Sequence, residues 1–193
     1  MSDPLPGLVR HAADRAAAAG FPHSCDPAVG RLLAVLAARV PPGGRILEIG
    51  TGAGVGTAWL ASGLLPRRDA TVTTIEADPG LAALAAGAGW PGFVGLRAGD
   101  ALALLPTLGG FDLIFADAPA GKQERLDLTL AALNLCGTLV VDDMAEYPGS
   151  IWPADFRARQ DAVRRALLTH PGLVAAELAH GSGVILAARR THG

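Results

Sequence analysis

The sequence predicts an α/β fold, a doubly wound and mostly parallel sheet closed by an antiparallel hairpin at its C-terminal edge. Three observations carry this. From Gly43 onward, short apolar runs alternate with longer helical patterns, as in successive strand–helix–strand units. Most of the runs are continuously apolar, as expected of strands covered by helices on both faces. The tail breaks the pattern: Leu173–Leu178 and Val184–Ala188 flank Gly181-Ser182-Gly183, a hairpin turn signal.

Taken in order, strands are predicted at Arg45–Ile49, Thr71–Ile75, Phe93–Arg97, Asp112–Ala116 and Thr138–Val141. Helices fall between them at Val55–Gly63, Pro79–Ala88, Ala101–Leu105 and Glu124–Leu135, with a further arginine- and alanine-rich helix over Asp155–Thr169. Asp78-Pro79 is a strong helix start, a capping carboxylate followed by proline at the first helical position. Asp26-Pro27 repeats it for a helix running to Arg39, which Pro41-Pro42-Gly43-Gly44 then breaks. The expected organisation is an N-terminal helical extension, residues 1–42, leading into one compact domain, residues 43–193.

Composition narrows the functional classes. Hydrophobic residues make up 50% of the 193 and charged residues 18%, which supplies a core and gives no signature of disorder. With a net charge of -2 and no basic stripe, nucleic acid is not an expected partner. Arg67-Arg68, Arg164-Arg165 and Arg189-Arg190 read as solvated faces. Cys25 and Cys136 stand far apart without a second ligand pair, which argues against a disulfide scaffold or structural zinc and suits the cytoplasm. Met1–Leu8 lacks the pattern of a signal peptide, and Leu128–Val141 is too short and interrupted to span a bilayer, so no membrane partner is expected.

The chemistry concentrates in Ile46–Gly56, a buried strand carrying an acid and opening through a glycine loop into a helix. Glycines there let a ligand approach the backbone at the carboxyl ends of the strands. A dinucleotide fingerprint, G-x-G-x-x-G, does not fit: counted from Gly50 its third glycine falls on Val55, and from Gly52 on Thr57. A pyrophosphate at the helix N-terminus would also be poorly served by an acid just before the loop. Glu48 suits a cationic ligand better. Glu76 ends the second strand, where an acid can accept hydrogen bonds from both hydroxyls of a ribose. Gly99-Asp100-Ala101 follows the third strand, and Asp117 ends the fourth. Four acids at the ends of successive strands are not the pattern of a solvated face.

These segments resemble the class I S-adenosylmethionine-dependent methyltransferases, and within them the O-methyltransferases of the catechol and caffeoyl-CoA type. The resemblance runs from Ser24 to Arg190. It rests on Leu47-Glu48-Ile49-Gly50-Thr51-Gly52, Ile75-Glu76-Ala77-Asp78-Pro79, Gly99-Asp100-Ala101, Phe111–Ala118 and Val140-Val141-Asp142-Asp143. It implies a Rossmann-like, seven-stranded sheet and O-methylation of a small-molecule acceptor with S-adenosylmethionine as cofactor. It assigns Glu48 and the loop glycines Gly50, Gly52 and Gly56 to the methionine moiety, Glu76 to the ribose and Asp100 to the adenine edge, with Thr51, Ala77, Gly99, Ala101 and Asp117 also among the cofactor-binding residues. Two other readings stay open on the residues: an NAD(P)-dependent oxidoreductase, and a non-catalytic module that binds the same cofactor.

The sequence departs from the family at two points. Metal-dependent members hold a divalent cation with an aspartate after the fourth strand and an Asp-Asn pair after the fifth. Here the positions are Asp117, Asp142 and Asp143, so a carboxylate replaces the asparagine. Three carboxylates could bind a hard cation. The favoured expectation is no metal, with Asp142 and Asp143 shaping the acceptor pocket. The family's catalytic lysine falls on Ala120; the lone lysine of the chain, Lys122, comes two residues later. Lys122 and Asp142 are the candidate catalytic residues, Lys122 as a base or as a holder of an anionic acceptor, against the alternative of a surface lysine. His23 could belong to a lid or a solvated loop, and Tyr147 and Trp152 could line an acceptor pocket or cover the sheet edge. His170, His180 and His192 carry no evident chemistry. The N-terminal helices and the edge hairpin offer surfaces on which two copies could pair.

Overall fold

The computed structural model describes residues 5–146 and 151–191, so Tyr147 and His192 lie outside the described residues. Seven strands form one sheet: β1 (Arg45–Ile49), β2 (Thr71–Glu76), β3 (Val94–Ala98), β4 (Phe111–Ala116), β5 (Leu133–Val141), β6 (Leu173–Leu178) and β7 (Val184–Arg189). Their order is β3-β2-β1-β4-β5-β7-β6. The first five run parallel, β7 enters antiparallel beside β5, and β6 closes the edge. This is the expected doubly wound sheet with its antiparallel edge hairpin.

Strand alternation sorts the side chains onto two faces. Ile46, Val72, Leu113, Phe115 and Val140 join one apolar cluster with α1 (Gly7–Ala18), α2 (Pro27–Arg39) and α3 (Val55–Leu64). Leu47, Ile49, Ile75, Ile114, Leu139 and Val141 join the other, with α5 (Ala101–Leu108) and α7 (Ala154–Leu168). Each fully buried Leu, Ile or Phe contributes about 1.5–3 kcal/mol over an exposed one, so both faces hold the sheet. The helix α4 (Pro79–Ala86) starts as predicted, with Asp78 accepting from the Leu81 amide at 2.8 Å; Asp26 does the same for α2 from Ala28 at 2.7 Å.

One prediction is corrected. Only Leu126–Ala132 forms a helix, α6, where Glu124–Leu135 was expected, and β5 begins at Leu133 instead of Thr138. Arg125 takes a left-handed conformation (φ 54°), which delays the helix start. Leu133 pairs with Phe111, but the next pair is Thr138 with Leu113, so Asn134–Gly137 bulge out of the ladder. The Asn134 amide then donates to Asp112 Oδ1 at 2.9 Å. A short apolar run of this kind carries no periodicity that separates strand from helix.

The helices α1 and α2 pack on α3. The α2–α3 contact is close enough that a methyl group on Gly63 would lie 2.2 Å from the Ala34 carbonyl oxygen. That neighbour is backbone and cannot swing aside. Gly63→Ala should therefore destabilise the fold by about 1–3 kcal/mol despite its better helix propensity. Urea denaturation should show a lower midpoint at unchanged slope; a midpoint equal to wild type would mean the helices separate at little cost.

Candidate active site

In a sheet of this order the strand order reverses between β1 and β4, leaving a crevice at the carboxyl ends of those strands. A cavity of about 620 Å³ occupies that position. Glu48, Gly50, Thr51, Gly52, Gly56, Glu76, Asp117, Lys122 and Asp142 all line it. Ala77, Gly99, Asp100 and Ala101 do not. Asp100 is exposed and caps α5, accepting from the Leu102 amide at 2.9 Å.

The acids share a face for a simple reason. Glu48 continues the alternation of Ile46, Glu76 that of Val72 and Thr74, Asp117 that of Leu113 and Phe115, and Asp142 that of Val140. All belong to the face covered by α1–α3. Glu48 is 1% exposed, and register places it beside Thr74 on the neighbouring strand. The Thr74 hydroxyl donates to Glu48 Oε2 at 2.6 Å, and the Thr57 hydroxyl, from α3, donates to the same oxygen. Gly56 makes room for the carboxylate: a methyl group there would lie 2.2 Å from Glu48 Oε1. Burial pushes the Glu48 carboxyl up to about 7, against the pull of the two threonine hydrogen bonds.

Above Glu48 the loop is fastened from three sides. The Gly50 and Thr51 amides both donate to the Ile75 carbonyl, at 3.0 and 3.1 Å. Glu76 accepts from the Gly52 amide at 2.7 Å and, through its other oxygen, from the Asp78 amide at 2.9 Å. Arg15 of α1 donates to the Ala53 carbonyl at 2.7 Å while its guanidinium lies over the Trp90 ring. Gly54, with φ 88°, sits against both; a methyl group would meet Trp90 at 2.7 Å.

The other half of the cleft lies beyond β4 and β5. Asp142 Oδ1 accepts from the Ser182 hydroxyl and, at 2.7 Å, from the Asp143 amide. Lys122, only 3% exposed, donates to the Asp142 main-chain carbonyl at 3.1 Å and lies 3.9 Å from Asp143 Oδ2. It is not a surface lysine. Burial first, and then the charge of Asp142, hold the Asp117 carboxyl well above its ordinary range. Burial pushes Asp142 up to about 6, while the Ser182 hydrogen bond pulls the other way. Asp143 takes a left-handed φ of 57°. Among the described residues no three His, Cys, Asp or Glu side chains converge so as to hold a metal ion.

Sequence reasoning missed several of these groups. Ser182 was read only as part of a turn, yet the Met144 and Ala145 amides bind that turn back at 2.9 and 3.0 Å and bring its hydroxyl to Asp142. Buried Gln160, on α7, donates to the Asp143 carbonyl at 2.5 Å and accepts from Gln123 at 3.1 Å. Phe21 and Cys25, from the connection between α1 and α2, line the cleft together with His23, which the sequence offered as a lid or a solvated-loop residue. Phe21 lies over Gly52 with His23 edge-on to it, ring centroids 5.9 Å apart. Trp152 does not line the cavity but packs edge-on against Phe156, which does. His180 instead bonds the Ala28 carbonyl at 2.9 Å.

The Glu48 burial has a measurable sign. Its carboxyl ionises near pH 4.5 in the unfolded chain and near 7 in the fold, so the native state holds more protons between those values. Its contribution to stability is complete below pH 4.5 and is lost as pH rises through 7. Asp117 and Asp142 act in the same direction. Glu48→Gln should therefore gain on wild type as pH rises across this window, by up to about 3 kcal/mol. Denaturant titrations at several pH values check it; a stability difference independent of pH would refute the burial account.

Comparison with known proteins agrees with this geometry. Residues 47–144 match the family model described as a methyltransferase domain. A Mycolicibacterium smegmatis protein provisionally named as an O-methyltransferase is 39% identical, over 72% of this chain and 69% of its own. A catechol O-methyltransferase of Mycobacterium tuberculosis is 37% identical, over 75% of this chain and 68% of its own. The crystal structure of the O-methyltransferase TomG from Streptomyces achromogenes, in complex with SAM, superposes with a TM-score of 0.78 at 26% identity, covering 97% of this chain and 91% of that one. The chain belongs to the class I methyltransferase family, among its O-methyltransferases.

Proposed function

We propose that the cleft binds S-adenosylmethionine and that the chain transfers its methyl group to a hydroxyl of a small molecule. One observation carries the reading: the crevice at the strand-order reversal is lined on a single sheet face by Glu48, Glu76, Asp117 and Asp142, an acidic setting suited to a ligand bearing a sulfonium and an ammonium. Family membership supports methyl transfer over the dinucleotide oxidoreductase.

Gly50, Thr51 and Gly52 bring backbone to the methionine end, over Glu48. Glu76 spends one lone pair of each oxygen on loop amides and keeps another for the ribose hydroxyls. Asp100, beyond the cavity lining, takes the adenine edge with one oxygen committed to its helix cap, and Ala77, Gly99 and Ala101 belong to the same cofactor site. The donor supplies an electrophilic methyl, so holding the acceptor oxygen in line contributes most of the rate. Lys122 offers the acceptor oxygen a buried N–H donor and a positive charge. Asp142 is a positioning residue: its carbonyl holds Lys122, and its carboxylate is fixed by Ser182. Phe21, His23 and Phe156 contribute the walls for the acceptor. Both cysteines are free thiols, which fits the reducing cytoplasm.

Calorimetric titration with adenosylhomocysteine tests the reading, with saturable binding expected. Glu76→Ala should weaken it at least tenfold, roughly 1.4 kcal/mol. Unchanged affinity would remove the ribose assignment, and no binding by folded wild type would remove the whole reading. Binding without turnover across a broad panel of hydroxyl acceptors would favour a non-catalytic module.

A further inference from the structure

The family's metal-dependent members place a divalent cation where this chain has Asp117, Asp142 and Asp143. The donor set here fits one poorly, and not while Lys122 occupies its centre. A hard cation takes about six oxygens or more, several of which can be waters, but the protein must turn free carboxylate oxygens to one point. Asp142 has spent Oδ1 on the Ser182 hydroxyl and the Asp143 amide. The Asp143 side chain is 44% exposed and leaves the sheet from a left-handed residue. No three such side chains converge among the described residues.

A cation is nevertheless present. Lys122 Nζ lies within the cluster, 3.1 Å from the Asp142 carbonyl and 3.9 Å from Asp143 Oδ2. Its stem is brought there by a tight turn: the Lys122, Gln123 and Glu124 amides all donate to the Pro119 carbonyl. Gly121, at φ 77°, allows that turn, and the Thr129 hydroxyl locks it by donating to the Gly121 carbonyl at 2.7 Å. A buried ammonium this well fixed cannot leave at low cost, and a second cation beside it would meet like-charge repulsion.

We propose that the Lys122 ammonium is the resident cation of this acid cluster and stands in for the divalent ion, so that the chain binds no metal there. The substituted asparagine and the lysine two residues late then belong to one change: a third carboxylate accompanies a charge the protein supplies itself. The consequence for catalysis rests on the proposed methyl transfer, but the occupancy of the cluster does not.

Manganese(II) is the probe, read by the loss of its free-ion paramagnetic resonance signal and by thermal denaturation with and without chelator. Wild type should show no saturable binding at millimolar Mn²⁺ and no chelator-dependent shift in Tm. Lys122→Met, which keeps the stem and removes the charge, should bind Mn²⁺ at least tenfold more tightly than wild type, and adding Asp117→Asn should abolish the gain. Lys122→Gln serves as a second variant should the first fold poorly. Saturable Mn²⁺ binding by wild type that Asp117→Asn removes would overturn the proposal, as would folded lysine variants that still ignore the ion. Adenosylhomocysteine titration of the same samples reports separately on the methyl-transfer reading.

Discussion

The site depends on a carboxylate that has been taken out of water. Glu48 sits on the central strand, flanked by β2 and β4, and is 1% exposed although it lines the floor of the cleft. An ionised group in that position is costly unless it is hydrogen-bonded. Two threonines answer the cost, one from the adjacent strand and one from the helix the loop opens into. The arrangement ties strand, loop and helix to one oxygen. It also explains Gly56 differently from a ligand-contact residue: its missing side chain clears space for Glu48 before anything binds.

From that anchor the cleft divides by charge. On the β1–β2 side the carboxylates are committed to threonine hydroxyls or loop amides, which fixes the backbone a ligand would meet. On the β4–β5 side, Asp117, Asp142 and Asp143 lie in one lining without converging on a point, and Lys122 is the one lysine or arginine among the described lining residues. Burial and mutual repulsion raise Asp117 and Asp142 toward neutrality, and the lysine offsets part of that. Burial and the surrounding acids also push the Cys25 thiol up, which favours the un-ionised form of a thiol lining the cleft.

Much of this was legible in the sequence because it is local. The strand runs, the Asp-Pro helix starts and the acid at each strand end are written within a few residues, and period-two alternation places those acids on one face. What was not legible is what arrives from a distance. Thr74 meets Glu48 through sheet register, and Ser182 reaches Asp142 from a hairpin turn 40 residues on. Gln160 comes from α7 to hold the Asp143 carbonyl. None of these has a spacing signature, since serine, threonine and glutamine are common in turns and on helix surfaces. Lys122 was ambiguous for the same reason: burial decides its role, and burial comes from the turn at Gly121 and its lock to Thr129. The misread Asn134–Gly137 belongs with them, because a bulge is set by pairing with a partner strand.

The two N-terminal helices show the same dependence on contacts at long range. By sequence they precede the glycine loop as an extension, yet their side chains complete it. Arg15 binds the Ala53 carbonyl and covers Trp90, and Phe21 lies over Gly52. A carbonyl in a loop of glycines would otherwise rely on water for its partner, and a loop free to choose its conformation loses more entropy when a ligand orders it. Arg15 supplies the partner in advance, with its own charge partly desolvated. The glycines that make the backbone approachable also make it loose, and helix α1 restrains the looseness without filling the cleft. On this argument residues 7–26 are as much a part of the glycine loop's structure as Gly50–Gly54, though no motif within them says so.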